Sequence, residues 1–165
     1  MEKNDPGMKQ GDKLLKMHGK FDRGPVEFRS HIVVQEGEIM AIATRDVISV
    51  PPTTSIIGAV EQMTKCGFRR LPVTDAGTKK LRGIVTSGDV INFMGGGDKY
   101  KLVQVKHGGN LLSAVNENVR TIMTQQTVTL THDATIHDAV KEIVEKKIGG
   151  LPIVDHDGVL TGIVT

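Results

Sequence analysis

The chain repeats itself at a spacing of 80 residues, and this constrains its fold more than any other feature. Ile42 falls on Ile122 and Thr44 on Thr124. Ile56, Ala59 and Val60 fall on Ile136, Ala139 and Val140, and Leu71, Pro72 and Asp75 on Leu151, Pro152 and Asp155. A one-residue gap in the next turn aligns Leu81, Gly83, Ile84, Val85 and Thr86 with Leu160, Gly162, Ile163, Val164 and Thr165. These 13 identities keep the same order, which chance similarity would not.

Each repeat reads alike locally. A short β-branched strand comes first, at Val47–Val50 and at Thr127–Leu130. A helix follows with apolar residues at i, i+4 and i+7: Ile56, Val60 and Met63, then Ile136, Val140, Ile143 and Val144. Gly67 is placed to end the first helix in a left-handed cap. Leu71–Thr74 and Leu81–Thr86 read as two strands around an Asp-Ala-Gly-Thr turn, with Pro72 at a strand start or edge. The first repeat continues into a helix over Ser87–Met94. The second reaches only Thr165, so the chain is expected to be part of a longer protein.

Residues 1–38 are polar and glycine-containing and read as a mobile arm, although Val33, Val34, Ile39 and Ile42 could pack on the first repeat. The first repeat spans 39–95. A linker of 96–119 opens with Gly96-Gly97, continuing the glycine tract from Gly95, and becomes a helix with Leu111, Leu112, Val115 and Val119 on one face. The second repeat spans 120–165.

Composition narrows the function classes. Twenty-one basic against nineteen acidic residues lack the excess of a duplex-DNA binder. The aromatics Phe21, Phe28, Phe68, Phe93 and Tyr100, with no tryptophan, make a poor base-stacking platform. No apolar run is long enough to span a membrane, and the N-terminus shows no secretory signal. A single cysteine, Cys66, fits a reducing, cytoplasmic setting. His132 and His137 are five residues apart and form no metal motif. No nucleophile arrangement is visible, so an enzyme is not expected. The glycine tract does not match a phosphate loop.

Two segments carry candidate chemistry. At Thr86-Ser87-Gly88-Asp89 a strand gives way to a helix, whose first N–H groups attract phosphate. A carboxylate at such a turn can accept both hydroxyls of a ribose. The same residues also spell a capping box, with Thr86 as N-cap and Asp89 closing it. Arg69 and Arg70 can grip phosphate bidentately, or stand as a solvated pair of charges. Lys99, Lys106 and His107 could add charge beside a phosphate or face solvent.

Arg70-Leu71-Pro72-Val73-Thr74-Asp75 and Gly83-Ile84-Val85-Thr86-Ser87-Gly88-Asp89 together resemble the cystathionine-β-synthase (CBS) domain, and the two repeats resemble its tandem Bateman module. Met40–Val47 and the glycine linker look like archaeal CBS-only proteins with four repeats, which are similar to the γ subunit of AMP-activated protein kinase. The resemblance implies an α+β fold of two β-α-β-β-α units paired through their sheets, with clefts for adenine nucleotides. It implies a first site in which backbone around Val47, Ile48, Leu71 and Pro72 frames the base, Asp89 with Thr86 takes the ribose, Arg69 and especially Arg70 reach the phosphates, and Thr44 and Ser87 also belong to the site. It implies a second site from Thr124, Val128, Leu151, Pro152 and Thr165. That site has Gly149-Gly150 in place of the arginines, so the first is expected to hold phosphate better. The implied role is a regulatory AMP, ADP or ATP sensor without a catalytic cofactor. Implied partners are a second copy in a disc-type homodimer, further CBS repeats, or an effector such as a kinase-like enzyme or a transporter. Alternatives are a ligand-free dimerisation module and a module for S-adenosylmethionine or nucleic acid. The regulatory part of an inosine monophosphate dehydrogenase-like enzyme ranks last.

Overall fold

A computed structural model describes residues 38–165. The expectations for a mobile arm and for Val33 and Val34 lie outside the described residues. In chain order the described elements are α1 (Glu38–Ile42), α2 (Ile56–Cys66), β1 (Arg70–Thr74), β2 (Leu81–Thr86), α3 (Ser87–Ile91), α4 (Tyr100–His107), α5 (Leu111–Ala114), β3 (Leu130–Thr131), α6 (Ile136–Lys146), β4 (Leu151–Val154) and β5 (Leu160–Val164). The fold is α+β, with one small sheet per repeat. β1 pairs antiparallel with β2, while the second sheet runs β3-β4-β5, parallel then antiparallel.

The first strand of each repeat is shorter than its β-branched run suggests. Val47–Val50 forms only a bridge, Val50 against Val73, and Thr127–Leu130 contracts to Leu130–Thr131. Pro51 and Pro52 follow Val50 and have no N–H for a ladder, which stops the first strand there.

The two central helices are capped alike at their starts and differently at their ends. Ser55 accepts the Gly58 N–H, and Thr135 with Asp138 forms a capping box. Gly67 ends α2 in the left-handed region, at φ +70°, with its N–H directed to Met63 and Thr64 carbonyls. Its counterpart Lys147 ends α6 at φ +53°, where a Cβ is strained. In α2 Ile56 and Met63 are buried as the period requires, with Ala59 beside them, while Val60 is only partly buried. In α6 Ala139 is buried, but Val140 and Val144 are 54% and 68% exposed, against expectation. The first repeat is covered by Phe93 and Val103. Among the described residues nothing equivalent covers α6.

The segments flanking the repeats cross over. Ile39 does not pack on the first repeat; it is fully buried with Ala139, Leu151 and Ile153 of the second. Its N–H donates to the Ala134 carbonyl, and the Glu38 carboxylate accepts the Ile136 N–H. Val119, which the 80-residue shift aligns with Ile39, is buried with Ile56, Leu71 and Val85 of the first repeat. Ile42 is half exposed and joins neither core. The linker is not one helix: left-handed Gly108 and Gly109 separate α4 from α5. Leu112 is 81% exposed, while Ala114 and Val119 carry the contact with the core.

The two repeats are joined by backbone. Thr44 and Ile163 exchange N–H···O bonds of 2.9 and 3.0 Å, and so do Ile84 and Thr124. Gly83 is required at the second junction, because a Cβ there would lie 2.4 Å from the Thr124 carbonyl oxygen.

Ile39→Ala should cost about 3 kcal/mol in urea unfolding, and hydrogen exchange should rise in α6 and β4 rather than in α2. Lys147→Gly relieves a strained left-handed residue and should raise stability by about 1 kcal/mol, read from the same melts.

Candidate functional site

The inter-repeat bridges lay the end of each β-hairpin beside the entry segment of the other repeat, and a cleft opens at each junction. The first, of about 290 Å³, is lined by Thr44, Asp46, Val47, Ile48, Phe68, Arg69, Arg70 and Pro72 from one repeat and Ile163 and Thr165 from the other. The second, of about 460 Å³, is lined by Arg69, Arg70, Ile84, Thr86, Ser87, Gly88 and Asp89 facing Thr124, Gln126, Thr127, Val128, Ile148, Gly149 and Gly150. Both lie near the usual range for small-molecule sites, the first at its lower edge.

This arrangement corrects the grouping expected from sequence. Thr86, Ser87 and Asp89 do not share a cleft with Thr44, Val47 and Ile48; they share one with Thr124 and Val128. Thr165 joins the first cleft. The cause is the antiparallel exchange at Thr44–Ile163 and Ile84–Thr124, which builds each cleft from both repeats. Leu71 and Leu151 are fully buried core residues and line neither cleft. Pro72 lines the first cleft, but Pro152 does not line the second.

The second cleft brings the acid and the cation together. Antiparallel pairing sets Arg70 opposite Thr86, and the Ser87 N–H donates to the Arg69 carbonyl at 2.9 Å. Thr86 and Asp89 form the capping box: the Asp89 N–H donates to Thr86 Oγ1 at 3.1 Å, and Asp89 Oδ2 accepts the Thr86 N–H and hydroxyl at 2.9 and 2.7 Å. Asp89 Oδ1 takes the Lys99 ammonium, which also donates to the Ile122 carbonyl. A carboxylate offers about four acceptor positions. Three are used, so a bidentate clasp of two ribose hydroxyls is not open to this carboxylate as it stands; one position remains.

Lys99, which could have faced a phosphate or solvent, instead serves the acid. Lys106 and His107 line neither cleft. Lys106 pairs with Glu117 at 3.3 Å, and His107 contacts Glu117 and Ser113. Hydrogen bonding from Lys106 is the main cause holding the Glu117 carboxyl below its usual range.

Gly149 and Gly150 do not leave the second cleft without a cation. A Cβ on Gly149 would lie 2.4 Å from Arg70 Nη2, and one on Gly150 2.8 Å from Arg70 Nη1. The guanidinium thus reaches across and fills the space the glycines leave, so the expected inequality between the sites does not follow from their substitution. Partial burial first, and the adjacent Arg69 second, lower the Arg70 pKa; its charged form lacks compensation that an anion can supply. Arg70 has no carboxylate partner among the described residues. Among those residues, too, no group of three His, Cys, Asp or Glu side chains is placed to hold a metal ion, and no helix is long and apolar enough to cross a membrane.

A family model for the CBS domain matches residues 30–96 and 119–165. Protein MJ1225 of Methanocaldococcus jannaschii is 43% identical over 128 residues, 77% of this chain and 46% of that protein. Its crystal structure, described as a proposed archaeal homologue of γ-AMPK, superposes with a TM-score of 0.76 over 78% of this chain and 46% of that one. CBSX2 of Arabidopsis thaliana, solved in complex with AMP, is 25% identical with a TM-score of 0.64, over 78% of this chain and 89% of that one. An inosine-5'-monophosphate dehydrogenase of Korarchaeum cryptofilum is 35% identical over 121 residues, 73% of this chain and 21% of the enzyme. The chain spans about half of MJ1225 and a fifth of the dehydrogenase, so relatives of this pair occur both in long proteins of unassigned activity and inside an enzyme. The duplicated hairpins, the crossed flanking segments and the matched family model agree: the chain belongs to the CBS domain family, as a pair of tandem repeats.

Proposed function

We propose that this CBS pair is a regulatory module that binds an adenine nucleotide between its repeats and passes the bound state to a partner. One observation carries the reading: the second cleft sets the Asp89 carboxylate and the Arg70 guanidinium in a crevice whose opposite wall comes from the other repeat. In this reading the remaining acceptor position of Asp89 takes a ribose hydroxyl. Arg70, with exposed Arg69, takes the phosphate, and the apolar walls flank the base. The AMP complex of CBSX2 supports the same ligand class. Two arginines favour a phosphate over a positively charged sulfonium, so S-adenosylmethionine is the weaker ligand.

A ligand held this way touches both repeats. It stabilises whichever packing encloses it best, and it becomes a signal only by binding two arrangements unequally. The partner that reads the arrangement is a second copy, further CBS repeats or an effector protein.

Calorimetry with AMP, ATP, adenosine and S-adenosylmethionine tests the reading. Saturable heat with AMP or ATP is expected. No heat with any of the four favours a ligand-free assembly module. Asp89→Asn keeps a capping oxygen but loses the charge that pairs with Lys99, so AMP affinity should fall about tenfold and the melting temperature should fall with it. A melting loss with unchanged affinity would leave Asp89 as a cap alone. Arg70→Ala should weaken AMP about tenfold more than adenosine; equal losses would remove phosphate contact as its role.

A further inference from the structure

The two clefts do not have separate cations. Arg69 and Arg70 line both. Arg69 is exposed, whereas Arg70 is half-buried in the seam, its guanidinium seated against Gly149 and Gly150. The three atoms that a Cβ on Gly149 would meet first all belong to that guanidinium. The missing side chains of the second repeat are therefore what lets an arginine of the first repeat stand between the sites.

We propose that Arg70 is a shared anion ligand that makes the two clefts compete for phosphorylated ligands. This inference rests on the nucleotide reading above and adds to it a coupling between the sites. A phosphate in the second cleft holds the guanidinium over Gly149. A ligand entering the first cleft must then either draw the side chain away or place its own phosphate beside another around one cation. Both outcomes weaken the second phosphate, and neither affects an uncharged nucleoside. The pair accordingly responds to the first equivalent of nucleotide and resists the second, an antagonism specific to charge. By reciprocity, filling the first cleft weakens the second by the same factor.

Gly149→Ala isolates this device, because the added methyl meets the far end of one flexible side chain rather than backbone. It should push the guanidinium toward the first cleft. Amide NMR titrations of the chain with AMP and with adenosine can follow Ile48 in the first cleft and Val128 in the second. The AMP-to-adenosine midpoint ratio should fall about tenfold at Ile48 and rise at Val128 in the variant, within the usual range of coupling between sites. In Arg70→Gln the two AMP midpoints should become independent of each other, with only the preference over adenosine that Arg69 supplies remaining. Ratios within twofold of wild type at both positions in Gly149→Ala overturn the shared cation, as does a parallel shift for AMP and adenosine at Val128, which marks simple blockage. If AMP moves neither signal in the wild-type chain, the nucleotide reading falls, and this inference with it.

Discussion

The functional architecture depends on four backbone hydrogen bonds, two at Thr44–Ile163 and two at Ile84–Thr124. They fasten the outgoing strand of each repeat to the entry segment of the other. Side chains on those strands are thereby delivered into crevices that neither repeat forms alone. Gly83 shows how tight the junction is, since its place tolerates no Cβ against the facing carbonyl. The crossed burial of Ile39 and Val119 applies the same logic to the core, because each repeat receives an apolar residue from the segment preceding its partner.

Within this frame the Thr86–Asp89 turn serves two demands that a sequence motif cannot separate. The carboxylate closes the cap of α3 and faces the second cleft. Lys99 ties it to the Ile122 carbonyl, just ahead of the inter-repeat bridge at Thr124. Cap, acid and junction therefore form one connected unit.

Much of the local structure was legible in the residues. The capping box at Thr86, the left-handed Gly67 and both hairpins follow from short-range chemistry and appear as expected. The end of the first strand at Val50 and the break in the linker helix follow from Pro51, Pro52, Gly108 and Gly109, whose backbone effects outweigh the apolar pattern around them. The exposed Val140 and Val144 show the limit of periodicity: it marks a face as apolar without saying what covers it.

The duplication by itself determined that there are two like units and which residue types each would carry, because identities spaced by 80 residues report local structure directly. Only the tertiary structure decided how those residues are shared out. Thr86 and Asp89 line a cleft with Thr124 and Val128, Thr165 lines one with Thr44, and Arg70 lines both clefts, seated against two glycines of the other repeat. The physical reason is that the bridges joining the repeats are backbone contacts between distant segments, and backbone pairing of that kind leaves no side-chain signature along the chain.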